Sequence, residues 1–336
     1  MLYLTETVKK AIIGRVKRWE NFNMNFSEKT MQKLSVIASL AVFANLLWGS
    51  AASVIKTGYI MFQVASNDTA AQILFAGCRF FLAGILTIII GSVLQGKILM
   101  PTKSAMPKIA VLSLFQTIIQ YVLFYIGCAN TSGMKASIAV SSGSFLSIVV
   151  SSLVFRQEKL NGRKFIGCLL GFGGVVLVNL KQGVGFDLNM SWLGEGFIIL
   201  SSTAFAFSNA FTKRFSKTEN PVMLCGYQFI FGGAVMIAVG LLSGGRLAAV
   251  GLGGILLVLY LALVSSVAFS ITGILVKYNP VSKVSIYGFL NPVFGVIMSM
   301  LLLNESGQEF GFKGIIALVM VCIGVLTVNL QKEKKV

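Results

Sequence analysis

Ten apolar runs follow one another along this chain of 336 residues, each near the length a helix needs to cross the hydrocarbon core of a bilayer, about 20 residues. They lie near 34–55, 71–94, 109–128, 136–155, 165–180, 193–212, 222–243, 252–275, 284–303 and 314–330. In lipid every backbone N–H and C=O must be satisfied by protein, so only helices and closed barrels span it. Barrel strands would read as segments of about ten residues with alternating polarity, and the runs here do not alternate. The expected fold is an all-α integral membrane protein of ten transmembrane helices. Composition agrees: 12% of the residues are charged, against about 25% in a soluble domain.

Charge placement predicts orientation. The formal net charge is +17, which in a soluble chain would point to nucleic acid. Here 22 of the 28 Lys and Arg fall in the two tails and the even-numbered loops, and only four in the alternate loops. Basic residues favour the cytoplasmic side, so both termini are expected there and no nucleic-acid partner is called for. Residues 1–33 read as a basic cytoplasmic tail, although Val8, Ile12, Val16 and Trp19 also have the spacing of an amphipathic helix on the inner leaflet. Met24 is an alternative start. The first apolar run is of spanning length with no small-residue site after a short core, so a cleaved leader is not expected. Residues 331–336 form the other tail.

The chain repeats itself. At a shift of 149, Gly77, Phe80, Gly84 and Gly96 meet Gly226, Phe229, Gly233 and Gly245. At a shift of 150, Gly174, Val175, Val178, Asn179 and Leu180 meet Gly324, Val325, Val328, Asn329 and Leu330. The repeats cover residues 34–181 and 193–330, five spans each. With an odd number of spans per half, the second half must enter the membrane upside down, the inverted repeat common in alternating-access carriers. Two spans are also interrupted at corresponding places, at Ser141–Ser144 and at Asn291-Pro292. A glutamate follows each at equal distance: Glu158 is thirteen residues after Phe145, and Glu305 thirteen after Pro292. Pro292 lacks an N–H, so a carbonyl near Gly288 must find another partner. Paired broken spans point to a transport site.

Leu47-Trp48-Gly49-Ser50 with Lys56, Arg79-Phe80 followed by Ala83, the Pro292-to-Glu305 spacing and Gly324-Val325 together resemble the EamA family of the drug/metabolite transporter superfamily. The resemblance covers residues 34–330, with Phe145 standing where the family carries a first-half proline. It implies two five-helix halves, a central cavity and export of small metabolites such as amino acids or related solutes. It also inclines Trp48 toward the pathway.

The residues themselves supply further candidates. Lys56 and Arg79 are the cations inside spans. Such charges cost about 2.5–3.5 kcal/mol on insertion scales, so they face a cavity or partner, or snorkel to the head groups. Snorkelling suits Lys56, so near its span's end; Arg79 suits either reading, and would hold a carboxylate in bidentate fashion. Gln116, Gln120 and Tyr121 on the third span, Ser142 in the fourth, Asn209 in the sixth, and Tyr287, Asn291 and Pro292 in the ninth are read as pathway residues. For the glutamines and serines, ordinary helix packing accounts for the residues as well. Gly167, Gly171, Gly173 and Gly174 read as helix packing rather than a phosphate cradle, because no strand precedes them.

What is missing narrows the function. The chain has no histidine, and its five cysteines fall in or beside apolar runs. No metal site, cofactor, disulfide framework or acid–base pair is expected, so an intramembrane enzyme lacks its equipment. The acidic residues sit at span ends or outside, so no buried carboxylate is expected for proton coupling. The expected function is secondary transport of a small solute across the inner (plasma) membrane, with solute and lipid as partners. A nucleotide-sugar-like antiporter is the alternative and would need more intramembrane cations. A non-transport membrane protein comes third.

Overall fold

The structure, a computed structural model, describes residues 28–65, 67–131, 133–179, 190–303 and 311–330. The expectations placed on residues 1–27, including Met24, on Glu305 and on residues 331–336 lie outside them. Every regular element among the described residues is helical. After a single turn at Glu28–Met31 come α1 (Leu34–Met61) and α2 (Thr69–Gln95). Then α3 (Met106–Leu112) passes through a π-helical stretch, Ser113–Ile119, into α4 (Gln120–Ala129). Next are α5 (Gly133–Val149), which unwinds into π-helix at Val150–Val154, and α6 (Gly162–Asn179). The second half has α7 (Phe197–Phe215), entered through π-helix at Trp192–Gly196, then α8 (Pro221–Leu242) and α9 (Leu252–Tyr278). It closes with α10 (Val281–Ser285), a 3₁₀ turn at Ile286–Phe289, α11 (Leu290–Leu303) and α12 (Gly311–Asn329).

Seven stretches among the described residues are long and apolar enough to cross a membrane. They contain α1, α2, α3–α4, α5, α8, α9 and α10–α11. The helices α6, α7 and α12 occupy the other three expected positions.

Local chemistry sets the helix ends. The Asp68 carboxylate accepts the Ala71 N–H at 2.9 Å to cap α2, and Gly96 closes that helix in the left-handed conformation at φ 62°. Asn220 caps α8 through the N–H groups of Val222 and Met223, with Pro221 as the first helical residue.

The seams between helices are built from glycines. A Cβ on Gly84 would meet the carbonyl of Gly226 at 2.6 Å, and one on Gly233 would meet the Phe81 nitrogen at 2.4 Å. Gly77 faces Ile237. Lower residue numbers of α2 thus face higher numbers of α8, so the two helices run antiparallel. The same holds for α6 and α12, where Gly167 faces Gly324 and Gly174 faces Ala317. Each pair joins corresponding helices of the two halves. Close backbone approach of this kind is how helices associate where lipid offers no hydrophobic driving force. Phe80 and Phe229, partners at the 149-residue shift, stack on one another at 5.2 Å.

Ser141–Ser144 does not break its span. Residues 133–149 stay helical, with Ser141 and Ser142 donating to carbonyls of their own helix, Ser137 and Ala139. Serine hydroxyls can satisfy this ladder, whereas Pro292 cannot. The proline half of the expectation has its counterpart in the 3₁₀ turn at Ile286–Phe289, just before Pro292.

Candidate functional site

One end of the bundle gathers the basic loops and is tied shut between halves. Glu158, after α5, is buried with its side chain 2% exposed. It accepts from Ser151 Oγ at 2.6 Å, from the Ser282 N–H at 2.9 Å, from Ser282 Oγ, and from Lys164 Nζ at 2.8 Å. Ser282 opens the second half's fourth span, so this carboxylate bridges the halves. Beside it, Lys213 Nζ donates to the carbonyls of Lys277 and Asn279 at the end of α9. Asn279 in turn donates to Met31. Glu158 does sit at a span end, as its position in the chain implies, but it is a buried, charge-paired group rather than a solvated one.

Above this network two narrow crevices meet. One is lined by Asn45, Trp48, Ser144, Phe205, Asn209, Thr272, Ser285 and Gly288 among others. The other includes Gln116, Asn209, Thr212, Cys225, Phe269 and Thr272. Asn209 and Thr272 belong to both. The walls come from both halves and are polar at intervals on an apolar ground, as small-solute sites are. Asn209 Nδ2 donates to Ser147 Oγ at 3.1 Å. Ser144 abuts Gly288, which brings the two interrupted segments of the sequence face to face. Each crevice has room for little more than a water molecule in this conformation, so passage of a solute needs helix movement.

Toward the opposite end the interior is filled by rings. Trp48 meets Phe269 edge-on at 5.0 Å and Phe205 at 6.4 Å. Phe80, Tyr121, Tyr125 and Phe229 continue the packing. Arg79 is embedded there, 4% exposed, its guanidinium carbon 4.4 Å from the Phe80 ring centre and 5.9 Å from that of Tyr121.

Comparison with known proteins identifies the lineage. The profile of the EamA-like transporter family matches residues 35–180 and again 192–330. The chain belongs to the EamA-like transporter family. Among its relatives is the uncharacterized inner membrane transporter YedA of Escherichia coli K12, 24% identical over 296 residues, which cover 87% of this chain and 90% of YedA. The uncharacterized transporter sll0355 of Synechocystis is 24% identical over 62% of this chain and 67% of its own. The WAT1-related protein At3g02690, chloroplastic, of Arabidopsis thaliana is 24% identical over 56% of this chain, and the match spans about half of that relative, 47%. A crystal structure superposes with a TM-score of 0.71 at 16% identity, covering 88% of this chain and 97% of its own, a likeness of fold alone.

Within this EamA-like fold the sequence candidates divide four ways. Trp48, Gln116 and Asn209 line the crevices. Arg79 and Tyr121 lie in the aromatic plug, while the Gln120 carbonyl accepts Ser201 Oγ at 2.7 Å on α7. Ser142, Asn291 and Pro292 are half-buried, and Tyr287 is packed in the core with Ile286 and Phe289; none of these four lines a crevice, though Ser285 and Gly288 of the same stretch do. Lys56 is exposed on α1, where snorkelling to head groups is open to it. Sequence reasoning missed Asn45 and Thr272; Asn45 is the one amide side chain of its apolar run, a signal that was available, whereas Thr272 stands among the serines of its own run and carried none.

Proposed function

We propose that this EamA-like protein is a secondary transporter of the inner membrane that moves a small metabolite outward by alternating access. In this reading ten helices form two inverted halves, and both termini are cytoplasmic. The observation that carries it is the polar crevice shared by the halves: Asn45, Trp48 and Ser144 from one, Asn209, Thr272 and Ser285 from the other. A path on the seam of two antiparallel repeats is what rocking one half against the other would open alternately to either side. The tie at Glu158 and the aromatic plug around Trp48 and Phe80 are the two closures such a cycle would open in turn. The names of YedA and sll0355 as transporters support the same reading. Among the described residues neither crevice has a Lys or Arg in its wall, which disfavours a nucleotide-sugar antiporter. The test is purified protein in liposomes, assayed for counterflow of amino acids, nucleosides and organic cations. Accelerated exchange of at least one class is expected; rates equal to protein-free liposomes for every class would sink the proposal.

A further inference from the structure

We infer that Arg79 is the docking point for a small organic monoanion, a carboxylate carried on an apolar body; this rests on the transport reading above and names the chemistry of its solute. A guanidinium is charged at any pH a cell meets. Buried in a membrane protein, it needs a counter-charge or a full set of acceptors. Arg79 is 4% exposed, and among the described residues its Nε and Nη1 have no hydrogen-bond partner. The buried and capping carboxylates among the described residues are engaged elsewhere. Glu158 pairs with Lys164, Glu219 with Lys108, Glu195 accepts from Thr131 and the Ser191 N–H, and Asp68 caps α2.

The rings beside Arg79 do not remove the need. The guanidinium carbon lies over the Phe80 ring and, farther off, over that of Tyr121, whose hydroxyl also takes a hydrogen bond from the Arg79 side chain. Nε and Nη1 stand on different edges of the guanidinium, so each edge keeps one unpartnered N–H for a carboxylate oxygen, with Nη2, common to both edges, as the other arm of the fork. Trp48 Nε1 is also buried without a partner among the described residues, in the same aromatic cluster. It adds a donor to an apolar lining that suits the rest of the molecule. One buried cation matches one negative charge: a phosphate dianion would ask for a second, and Lys56, the other cation inside a span, is exposed. Trp48 connects this site to the crevice, since it lines the crevice and packs in the cluster of Phe80 and Tyr121.

The experiment uses the full chain and matched probes, 4-methylvalerate and phenylacetate against their amides. Binding is read by thermal stabilisation in detergent, and uptake is read in liposomes beside a panel of neutral solutes. The carboxylates are expected to stabilise the native protein and the amides not. Arg79→Gln should weaken carboxylate binding at least tenfold, and Arg79→Lys should lose most of it, because an ammonium is a point charge without the fork. Equal binding of acid and amide, or native carboxylate affinity in Arg79→Gln, overturns the site. Should the glutamine variant not fold, native affinity in Arg79→Lys overturns it instead. Uptake of neutral solutes with no carboxylate binding removes this inference and leaves transport standing. Carboxylate binding without uptake of any solute removes transport and leaves the site.

Discussion

Truncating Glu158 to alanine probes the tie at the basic end directly. The change removes the acceptor of four contacts, two of them from Ser282 across the halves. It also takes the Glu158 counter-charge from the ammonium of Lys164, which is 1% exposed and 2.7 Å from the Lys159 carbonyl. Hydrogen bonds to charged groups contribute about 1.5–3 kcal/mol each, though not additively. Stripping one member from a buried pair typically costs about 3–5 kcal/mol, because the other charge stays buried. We therefore expect Glu158→Ala to lose about 3–5 kcal/mol, read by reversible unfolding in mixed micelles. Lys164→Met should cost a similar amount. The double variant should cost less than the sum by about 2 kcal/mol or more, since it strands no charge. The loosened end should also let a thiol reagent reach a cysteine placed at Ser285, in the crevice wall, faster than in the parent. A single-variant loss below about 1 kcal/mol, with strict additivity in the double, would refute the reasoning.

Four further outcomes are expected. Pro292→Ala restores an N–H beside the 3₁₀ turn at Ile286–Phe289, so transport should slow while solute affinity holds; native rate and affinity together would remove the segment from the pathway. Asn209→Leu takes a polar wall from both crevices and should cut transport about tenfold, with unfolding free energy changed by only about 1 kcal/mol for its bond to Ser147; unchanged uptake counts against the crevice. Gly84→Ala puts a methyl 2.6 Å from the Gly226 carbonyl and the Ile230 nitrogen, and should destabilise by roughly 1–3 kcal/mol, measured by the same unfolding titration; native stability would contradict the seam. Cysteines at Asn67 should react with impermeant reagent from outside and those at Lys103 and Lys217 only after permeabilisation, as the basic bias requires; outside labelling at Lys103 overturns the orientation.

The helices were legible because lipid imposes length and apolarity on whole segments, a signal spread over some twenty residues each. The α2–α8 seam was visible as glycine agreement, since close approach excludes any Cβ there. Side-chain pairing was less legible. Glu158 and Ser282 are 124 positions apart, and nothing local marks either as the other's partner. Segment 156–164 supplies four of the basic residues that set the expected orientation, yet folding turns Glu158 and Lys164 inward while Arg156 and Lys159 stay exposed. The interruption at Ser141–Ser144 was over-read for a different reason. A serine can bond its own helix, so a run of polar small residues does not by itself open a turn. Arg79 was visible by its rarity, whereas the two nitrogens it leaves unpartnered among the described residues are a fact of three dimensions.

The stacked pair Phe80 and Phe229 joins matching positions of the sequence repeat, and the residues one step before them do not match: Arg79 stands opposite Gln228 in the repeat. Gln228 is buried and neutral, its Oε1 accepting from Thr117 Oγ at 2.6 Å. In a molecule made of two identical inverted halves, trading their conformations would reproduce the same object flipped, and its two facing states would have equal energy. A charge on one side of the axis and an amide on the other abolish that degeneracy. Phe145 opposite Pro292 breaks it a second time, in stiffness rather than in charge. The resting preference of such a carrier, and the voltage at which that preference reverses, would then be set by the few positions where duplication has been undone, while the matched glycines keep the hinge common to both states.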